Sequence, residues 1–473
     1  MPDAPHLIGR PILRTEDRRF LTGTGRYISD VKLNGMVYGA MLYSPFAHAR
    51  IRKLNFEKAL QHSGVLAVLT AQDLEPTFRN GIPPLFTPNG IEEFIKTNGV
   101  RPLLAKDFVR HVGDRVAFCV AENLDCAIHA LDLIDVEYEE LKPVADIQKA
   151  LDPKAPLVWN EVQNNTLFEI KIGDQDATSY AFEHADNVVE LKGVHPRVLA
   201  NSMEPRAAIG QYENFSRAYT LYTSTQNPHR VRQVLAQNVL SIPETNLRVI
   251  SYDVGGGFGM KGDCYPEEAL VLIAAKTLMR PVKWVATRSE SFISDNAGRD
   301  QAFYAKMALD RDGHIQAIYV DALHNLGAYM VGAALIPVLF SLKLIPNVYK
   351  VPHVDLRTRA VFTNTSPTNP YRGAGRPEAI FITEQLMDLA AAKLNLSQYE
   401  IRKRNFLEQG DLPHRTQTGL TYDSGNFLKA AEKCMELSNW DKFEQRCHYS
   451  RQSGKIRGRS LTSYIEDTGA FND

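Results

Sequence analysis

Apolar and polar side chains alternate over 37–43, 115–121 and 135–141, the pattern of half-buried strands, while apolar positions over 123–133 recur at helical spacing. Short strands interleaved with helices in this order predict an α+β module ending near residue 141, not a repeated βαβ array. A connector spotted with prolines and acids, 142–165, follows. Alternation returns over 247–252, before a glycine run and a helical pattern over 266–279. A further strand is expected over 282–286, and Asp310-Arg311-Asp312-Gly313-His314 carries the turn chemistry of a hairpin between 303–309 and 315–322. From Ser397 helical patterns dominate, through 400–405 and 426–437, and 459–465 reads as a last strand. The expected organisation is a first unit over 1–141, the connector, a second unit over 166–396 and the start of a third over 397–473.

Two glycine-rich loops punctuate the second unit. Asp253-Val254-Gly255-Gly256-Gly257-Phe258-Gly259-Met260-Lys261 leads toward the helix at Pro266, and Asn369-Pro370-Tyr371-Arg372-Gly373-Ala374-Gly375-Arg376 runs into a helix at Pro377 and Glu378. Glycines let backbone N–H groups close on a ligand, and a helix N-terminus carries about half a positive charge. Each loop therefore reads as an anion cradle armed with a cation, and two cradles in one chain suggest one long phosphate-bearing ligand. A tight strand-to-helix turn is the plainer reading of either loop by itself. The run 257–262 also fits the G-x-G-x-x-G dinucleotide spacing, but the next strand ends in Thr287-Arg288, without the acidic residue that would hold a ribose. An NAD(P)-dependent dehydrogenase is the remoter alternative.

Charge and composition narrow the partners. The 473 residues carry 54 Lys and Arg against 55 Asp and Glu, which gives no electrostatic reason to expect nucleic acid or an acidic membrane surface. The first twenty residues mix charges and prolines without the apolar core of a secretory signal. The most apolar stretch, 326–342, is too short to span a bilayer as a helix, contains Pro337, and is expected in the core. Five dispersed cysteines without a C-x-x-C pair argue against a disulfide framework, an iron–sulfur cluster or a zinc site in this chain, and fit a reducing, cytoplasmic setting. No metal-ligand spacing occurs among the 13 histidines; His195 and His229, each near a motif, are expected to be hydrogen-bonded structural residues.

The order of several strings carries a resemblance. Ile8-Gly9-Arg10, Arg14-Thr15-Glu16-Asp17, Phe20-Leu21-Thr22-Gly23-Thr24-Gly25-Arg26-Tyr27, Tyr43-Ser44-Pro45-Phe46-Ala47-His48-Ala49, Met203-Glu204-Pro205-Arg206, Ser224-Thr225-Gln226 and both loops stand in the sequence. Together they resemble the molybdopterin-binding subunit of the xanthine oxidase and aldehyde oxidase family, above all its carbon monoxide dehydrogenase large-subunit-like branch. The resemblance implies an α+β architecture: an a/b hammerhead domain over 1–141, a first molybdopterin-binding domain over 166–396, and a truncated second one over 397–473. It also implies a molybdenum hydroxylase that oxidises an aldehyde or an aromatic heterocycle with water as oxygen source. The cofactor would be molybdopterin, bare or as its cytosine dinucleotide, with 2Fe-2S and FAD on partner chains of a hetero-oligomer.

Residue by residue, Gly257, Phe258 and Gly259 match the family loop that approaches the molybdenum centre, Arg372 matches the arginine at the pterin, and Gln226 matches a residue lining the cofactor region. Glu204, beside Arg206, is read as one half of a structural ion pair. No catalytic residue is assigned, because the family's glutamate base would lie beyond Asp473; the chain is expected to be a fragment or a natural truncation that does not turn over alone. Departures bear on substrate. Gly373 stands where the carbon monoxide enzymes have a copper-binding cysteine, Gly262 and Ala374 where purine enzymes have a glutamate and an aromatic ring, and Pro196 where the family has a metal-site glutamine. A non-catalytic cofactor-binding or assembly protein is the alternative that a missing base would suit.

Overall fold

The computed structural model describes residues 8–75, 77–97 and 99–466. Its strands are β1 (Val37–Tyr43), β2 (Ala49–Asn55), β3 (Val65–Leu69), β4 (Phe108–Val109), β5 (Arg115–Ala121), β6 (Asp135–Glu140), β7 (Thr166–Gly173), β8 (Asn187–His195), β9 (Ala207–Glu213), β10 (Ala218–Thr223), β11 (Leu247–Ile250), β12 (Val282–Val285), β13 (Gln301–Leu309), β14 (Ile315–Gly327) and β15 (His353–Phe362).

Strands from both of the first two units share a seven-stranded sheet in the order β11-β10-β9-β12-β1-β5-β3. The joint is the parallel pairing of β1 with β12, Val37 opposite Val282. Elsewhere β9 runs antiparallel to both β10 and β12. A dinucleotide fold would need a doubly wound parallel sheet, so this mixed topology removes the dehydrogenase alternative. The helix Pro266–Leu278 packs on this sheet with its residues from Pro266 to Ala275 buried. From Ala269 to Ala275 its sequence is apolar on all sides, as a helix segment enclosed by protein requires.

A second sheet has the order β7-β15-β14-β13-β8. Phe303, Ala305, Met307 and Leu309, alternate residues of β13, cluster with Ala379, Ile382, Leu386, Met387 and Ala390 of the helix Arg376–Lys393. The period of two on the strand thus meets the period of 3.6 on the helix, and the two core faces close on one another. The stretch 326–342 ends β14 and enters the helix Leu335–Lys343, with Leu326, Tyr329, Met330, Val338 and Leu342 buried. No helix among the described residues is long and apolar enough to cross a membrane.

The helix Gln398–Asn405, beyond the boundary expected at 396, buries Ile401 in the same core. Its wholly buried Arg402 reaches Glu384 (2.7 Å) and Asp388 (2.8 Å) of the preceding long helix. The strand expected over 459–465 is not formed. This segment crosses the protein as a strap whose backbone bonds side chains instead of a neighbouring strand: Leu461 N donates to Gln398 Oε1 (3.2 Å), Ser463 N donates to Glu384 Oε2 (3.1 Å), and the Ser463 carbonyl accepts from Asn347 Nδ2 (2.7 Å).

Candidate functional site

The two glycine loops, more than a hundred residues apart in sequence, touch. Arg372 N donates to the Phe258 carbonyl (2.9 Å), and a Cβ added to Gly259 would stand 2.5 Å from the Pro370 carbonyl oxygen. Gly259 holds a φ of +90°, which side-chain-bearing residues rarely adopt, so glycine is required there twice over. Phe258 beside it also sits in the left-handed region, at +55°, and the residue is 40 % exposed. A bulky residue in that region costs on the order of 1–3 kcal/mol and persists only where its surroundings over-determine it.

Side chains close around the first loop. Gln226 Oε1 accepts from Gly259 N (2.8 Å), and the loop wraps the amide so tightly that a Cβ on Gly257 would lie 2.4 Å from the same oxygen. Glu204 Oε2 accepts from Gly255 N (2.8 Å). Among the described residues the amides of Gly256, Gly257 and Phe258 find no protein acceptor and remain as donors.

Three expectations need correction here. Lys261 does not arm the loop: it is buried and turned inward, its Nζ 3.0 Å from Glu204 Oε2 and donating to the Glu204 carbonyl (2.8 Å). Glu204 accordingly pairs with Lys261 and not with the adjacent Arg206. Nor does the loop open a helix. A turn, Met260–Gly262, intervenes, and the N-terminus of Pro266–Leu278 is capped by Glu268 Oε2, which accepts from Tyr265 N (2.9 Å). The free cation belongs to the second loop. Arg372 is exposed, and among the described residues its guanidinium has no acceptor. Arg376, by contrast, pairs with Glu466 (2.9 Å) and lies over the Phe340 ring.

Sequence reasoning missed the residue that holds the second loop. Arg299 donates to the carbonyls of Tyr371 (3.2 Å) and Arg372 (2.6 Å) and pairs with the wholly buried Glu378 (3.4 Å). An arginine just before a strand carries no special signal; the hint was Gly298, where a Cβ would lie 2.2 Å from that of Tyr371. His195 is not the hydrogen-bonded residue expected: its Nε2 is buried without a partner, and the ring stacks on Phe303.

Beneath the first loop, the buried Glu267 ties the two units together. Its Oε1 accepts from Arg115 on β5 (2.7 Å), its Oε2 accepts from Arg206 (2.8 Å), and Arg206 also reaches Asp295. Glu267 and Glu268, consecutive on one helix, ionise in opposite senses. Burial disfavours charge at both, but at Glu267 the two guanidinium groups outweigh it and hold the carboxyl far below the usual range. Glu268 lacks such a partner, and burial pushes its carboxyl up to about 7. Thr223 Oγ1 lies 2.6 Å from Glu268 Oε1 and 3.1 Å from the Ala207 carbonyl, so it can accept the acid's proton while donating its own to that carbonyl.

A folded value above the unfolded one means that protonation of Glu268 stabilises the fold in full below about pH 4 and that this contribution is lost as pH rises through about 7. The loss is about 3 kcal/mol, from 1.36 kcal/mol per unit. Glu268→Gln keeps both hydrogen bonds without titrating. Denaturant melts at about pH 5 and about pH 8 should therefore differ markedly less for the variant than for the native chain, and equal pH dependence would place the loss elsewhere.

Comparison with known proteins agrees with this architecture. Residues 22–142 match the model of the aldehyde oxidase and xanthine dehydrogenase a/b hammerhead domain, and residues 158–406 match that of the molybdopterin cofactor-binding domain. The nicotine 6-hydroxylase large subunit of Paenarthrobacter nicotinovorans is 34 % identical over 99 % of this chain and 56 % of its own length. The nicotinate dehydrogenase large molybdopterin subunit of Eubacterium barkeri is 30 % identical over 92 % of this chain and 98 % of its own length. Among solved structures, quinoline 2-oxidoreductase from Pseudomonas putida 86 superposes with a TM-score of 0.88 at 36 % identity, covering 94 % of this chain and 56 % of that one. The chain thus spans little more than half of the nicotine 6-hydroxylase large subunit and of the quinoline 2-oxidoreductase chain, but nearly all of the nicotinate dehydrogenase large molybdopterin subunit. With both domain models matched in order and both glycine loops inside the second, the chain belongs to the aldehyde oxidase and xanthine dehydrogenase family and carries its hammerhead and molybdopterin cofactor-binding domains.

Proposed function

We propose that this chain forms one wall of the molybdopterin site in a molybdenum hydroxylase whose substrate is a nitrogen-containing aromatic heterocycle. The observation that carries the reading is the loop junction: the bond from Arg372 N to the Phe258 carbonyl joins the loop with an exposed, unpaired guanidinium to the loop whose Gly256, Gly257 and Phe258 amides have no acceptor among the described residues. A pterin with its phosphate presents many acceptor oxygens and ring nitrogens, which suit such donors. Gly257, Phe258 and Gly259 would offer amides and close backbone approach, Arg372 a planar charged fork, and Gln226 its amide nitrogen, since its oxygen is engaged by Gly259 N. Arg299 and Glu378 hold the second loop at the height where Arg372 can serve.

The cofactor, when bound, supplies the metal and the two-electron chemistry; this chain's residues orient it and keep its anionic groups desolvated and paired. In a hetero-oligomer, 2Fe-2S and FAD chains would take the electrons. The heterocycle is preferred over an aldehyde because nicotine, nicotinate and quinoline name the substrates of three relatives. Expressed with the complex that completes it, the native chain should co-purify with molybdenum and release a fluorescent oxidised pterin. Arg372→Ala removes a charge-assisted bond of roughly 1.5–3 kcal/mol and should lower both when cofactor is limiting. Full molybdenum and pterin in that variant would rule out the assignment of Arg372.

Copper is not expected. Gly373 has a φ of +95°, and a Cβ there would lie 2.5 Å from Pro377 Cγ, so the position neither provides nor readily accepts the thiolate that copper(I) requires. The purified complex should hold far less than one copper per chain and show no carbon monoxide-dependent dye reduction; stoichiometric copper would overturn this.

A further inference from the structure

Below the second loop, three polar side chains stand in one row across adjacent strands. Gln301 is directly opposite His195 of β8 on one side and His324 of β14 on the other. Residues directly opposite share a face, with Cβ atoms about 4.5–5.5 Å apart. That face is the one covered by the helix Arg376–Lys393: His195 meets Phe381 of the helix edge-on at 5.1 Å and stacks on Phe303, which points to the same side. Gln301 and His324 are wholly buried, and His195 is part-buried at the end of the row.

None of these groups has the partner its chemistry demands. His195 Nε2, both side-chain atoms of Gln301 and both ring nitrogens of His324 are buried without a protein hydrogen bond. Glu378, on the covering helix and wholly buried, lies 3.4 Å from Arg299. Burial, with Arg299 nearby, pushes His195 down to about 4; burial, His195, Arg197 and Arg299 push His324 down to about 3. Both rings are therefore neutral at ordinary pH, each with one donor and one acceptor. Neutral rings offer an anion no charge, and among the described residues no third His, Cys, Asp or Glu joins the two histidines to make a metal-ligand set; matched donors and acceptors suit a small uncharged molecule that both donates and accepts. Left dry, so many orphaned polar atoms would cost an appreciable share of a domain's whole stability.

We propose that His195, Gln301 and His324 form a buried binding row for a file of ordered water molecules, entered beside His195 and lying under Arg299. Each water would bridge neighbours along the row and give Gln301 and the two imidazoles their missing partners. Because Arg299 grips the Tyr371 and Arg372 carbonyls, the file forms the floor on which the second loop rests.

The test uses the full chain and does not depend on the cofactor. A high-resolution crystal structure should show water density within about 2.7–3.2 Å of both His324 nitrogens and of the Gln301 amide. Direct contact of the Gln301 amide with either imidazole, or a space without density, would overturn the proposal. Gln301→Leu separates the cases by sign: in a dry row it removes a buried orphan and raises the melting temperature, whereas in a hydrated row it strips waters of a partner and lowers it. His324→Leu should lower it too, and the double variant should lose less than the two singles together, because both deplete the same waters. Additive losses, or a rise in either single variant, would count against a shared file. If a variant does not fold, the native density decides.

Discussion

Glu267→Ala should leave the chain unable to accumulate as a folded, soluble protein. The carboxylate is wholly buried and is the shared acceptor of Arg115 and Arg206, which are themselves buried. Removing it leaves two guanidinium groups in the interior with Asp295 as the remaining carboxylate on Arg206. Breaking a buried pair from one side costs about 3–5 kcal/mol, and here two pairs break together against a total stability of roughly 5–15 kcal/mol. Arg115 comes from the first unit and Glu267 from the second, so the loss falls on the seam between them. Urea melts and soluble yield measure the effect. The control is the triple change Glu267→Met, Arg115→Met, Arg206→Met, which removes charge and counter-charge together and should recover much of the loss. If Glu267→Ala folds with near-native stability, the network is not what joins the units.

Much of this architecture is written in local pattern. Sequence pattern located β1, β5 and the β13–β14 hairpin, and the apolar run after Pro266 located the central helix; β5, expected as a half-buried strand, is instead buried at every position, because it lies between β1 and β3 inside the sheet. What pattern could not show was partnership at a distance. Nothing local to Val37 says that it pairs with Val282, and nothing in Glu267-Glu268 says that one faces two arginines and the other a threonine. The strap at 459–466 alternates like a strand, yet its backbone found Gln398 and Glu384 before any neighbouring strand. Lys261 follows a glycine loop as a ligand-binding cation would, but the loop's own geometry turns it inward to Glu204. The two loops could be named from sequence because glycine is rare at such density; that they touch could not.

Gly259→Val should abolish retention of the cofactor while leaving most of the fold intact. Gly259 has a φ of +90°, and its added Cβ would stand 2.5 Å from the Pro370 carbonyl oxygen, a backbone atom that cannot swing aside as a side chain can. Valine adds χ1 stiffness to a backbone angle it does not adopt, so the strain of about 1–3 kcal/mol must be relieved by moving one loop off the other. That movement breaks the bond from Arg372 N to the Phe258 carbonyl and draws Gly259 N away from Gln226 Oε1. The seven-stranded sheet and the helix Pro266–Leu278 lie behind the loop and are not touched, which confines the damage. The loop with the guanidinium and the loop with the open amides would then no longer be joined, and each 1.4 kcal/mol of lost binding is tenfold in affinity. Circular dichroism and the melting temperature should change little, while molybdenum and oxidised pterin in the purified complex should fall by about tenfold or more. Native cofactor content in a folded Gly259→Val protein would show that the junction of the loops is only a turn packed against a turn, and that the cofactor is held elsewhere.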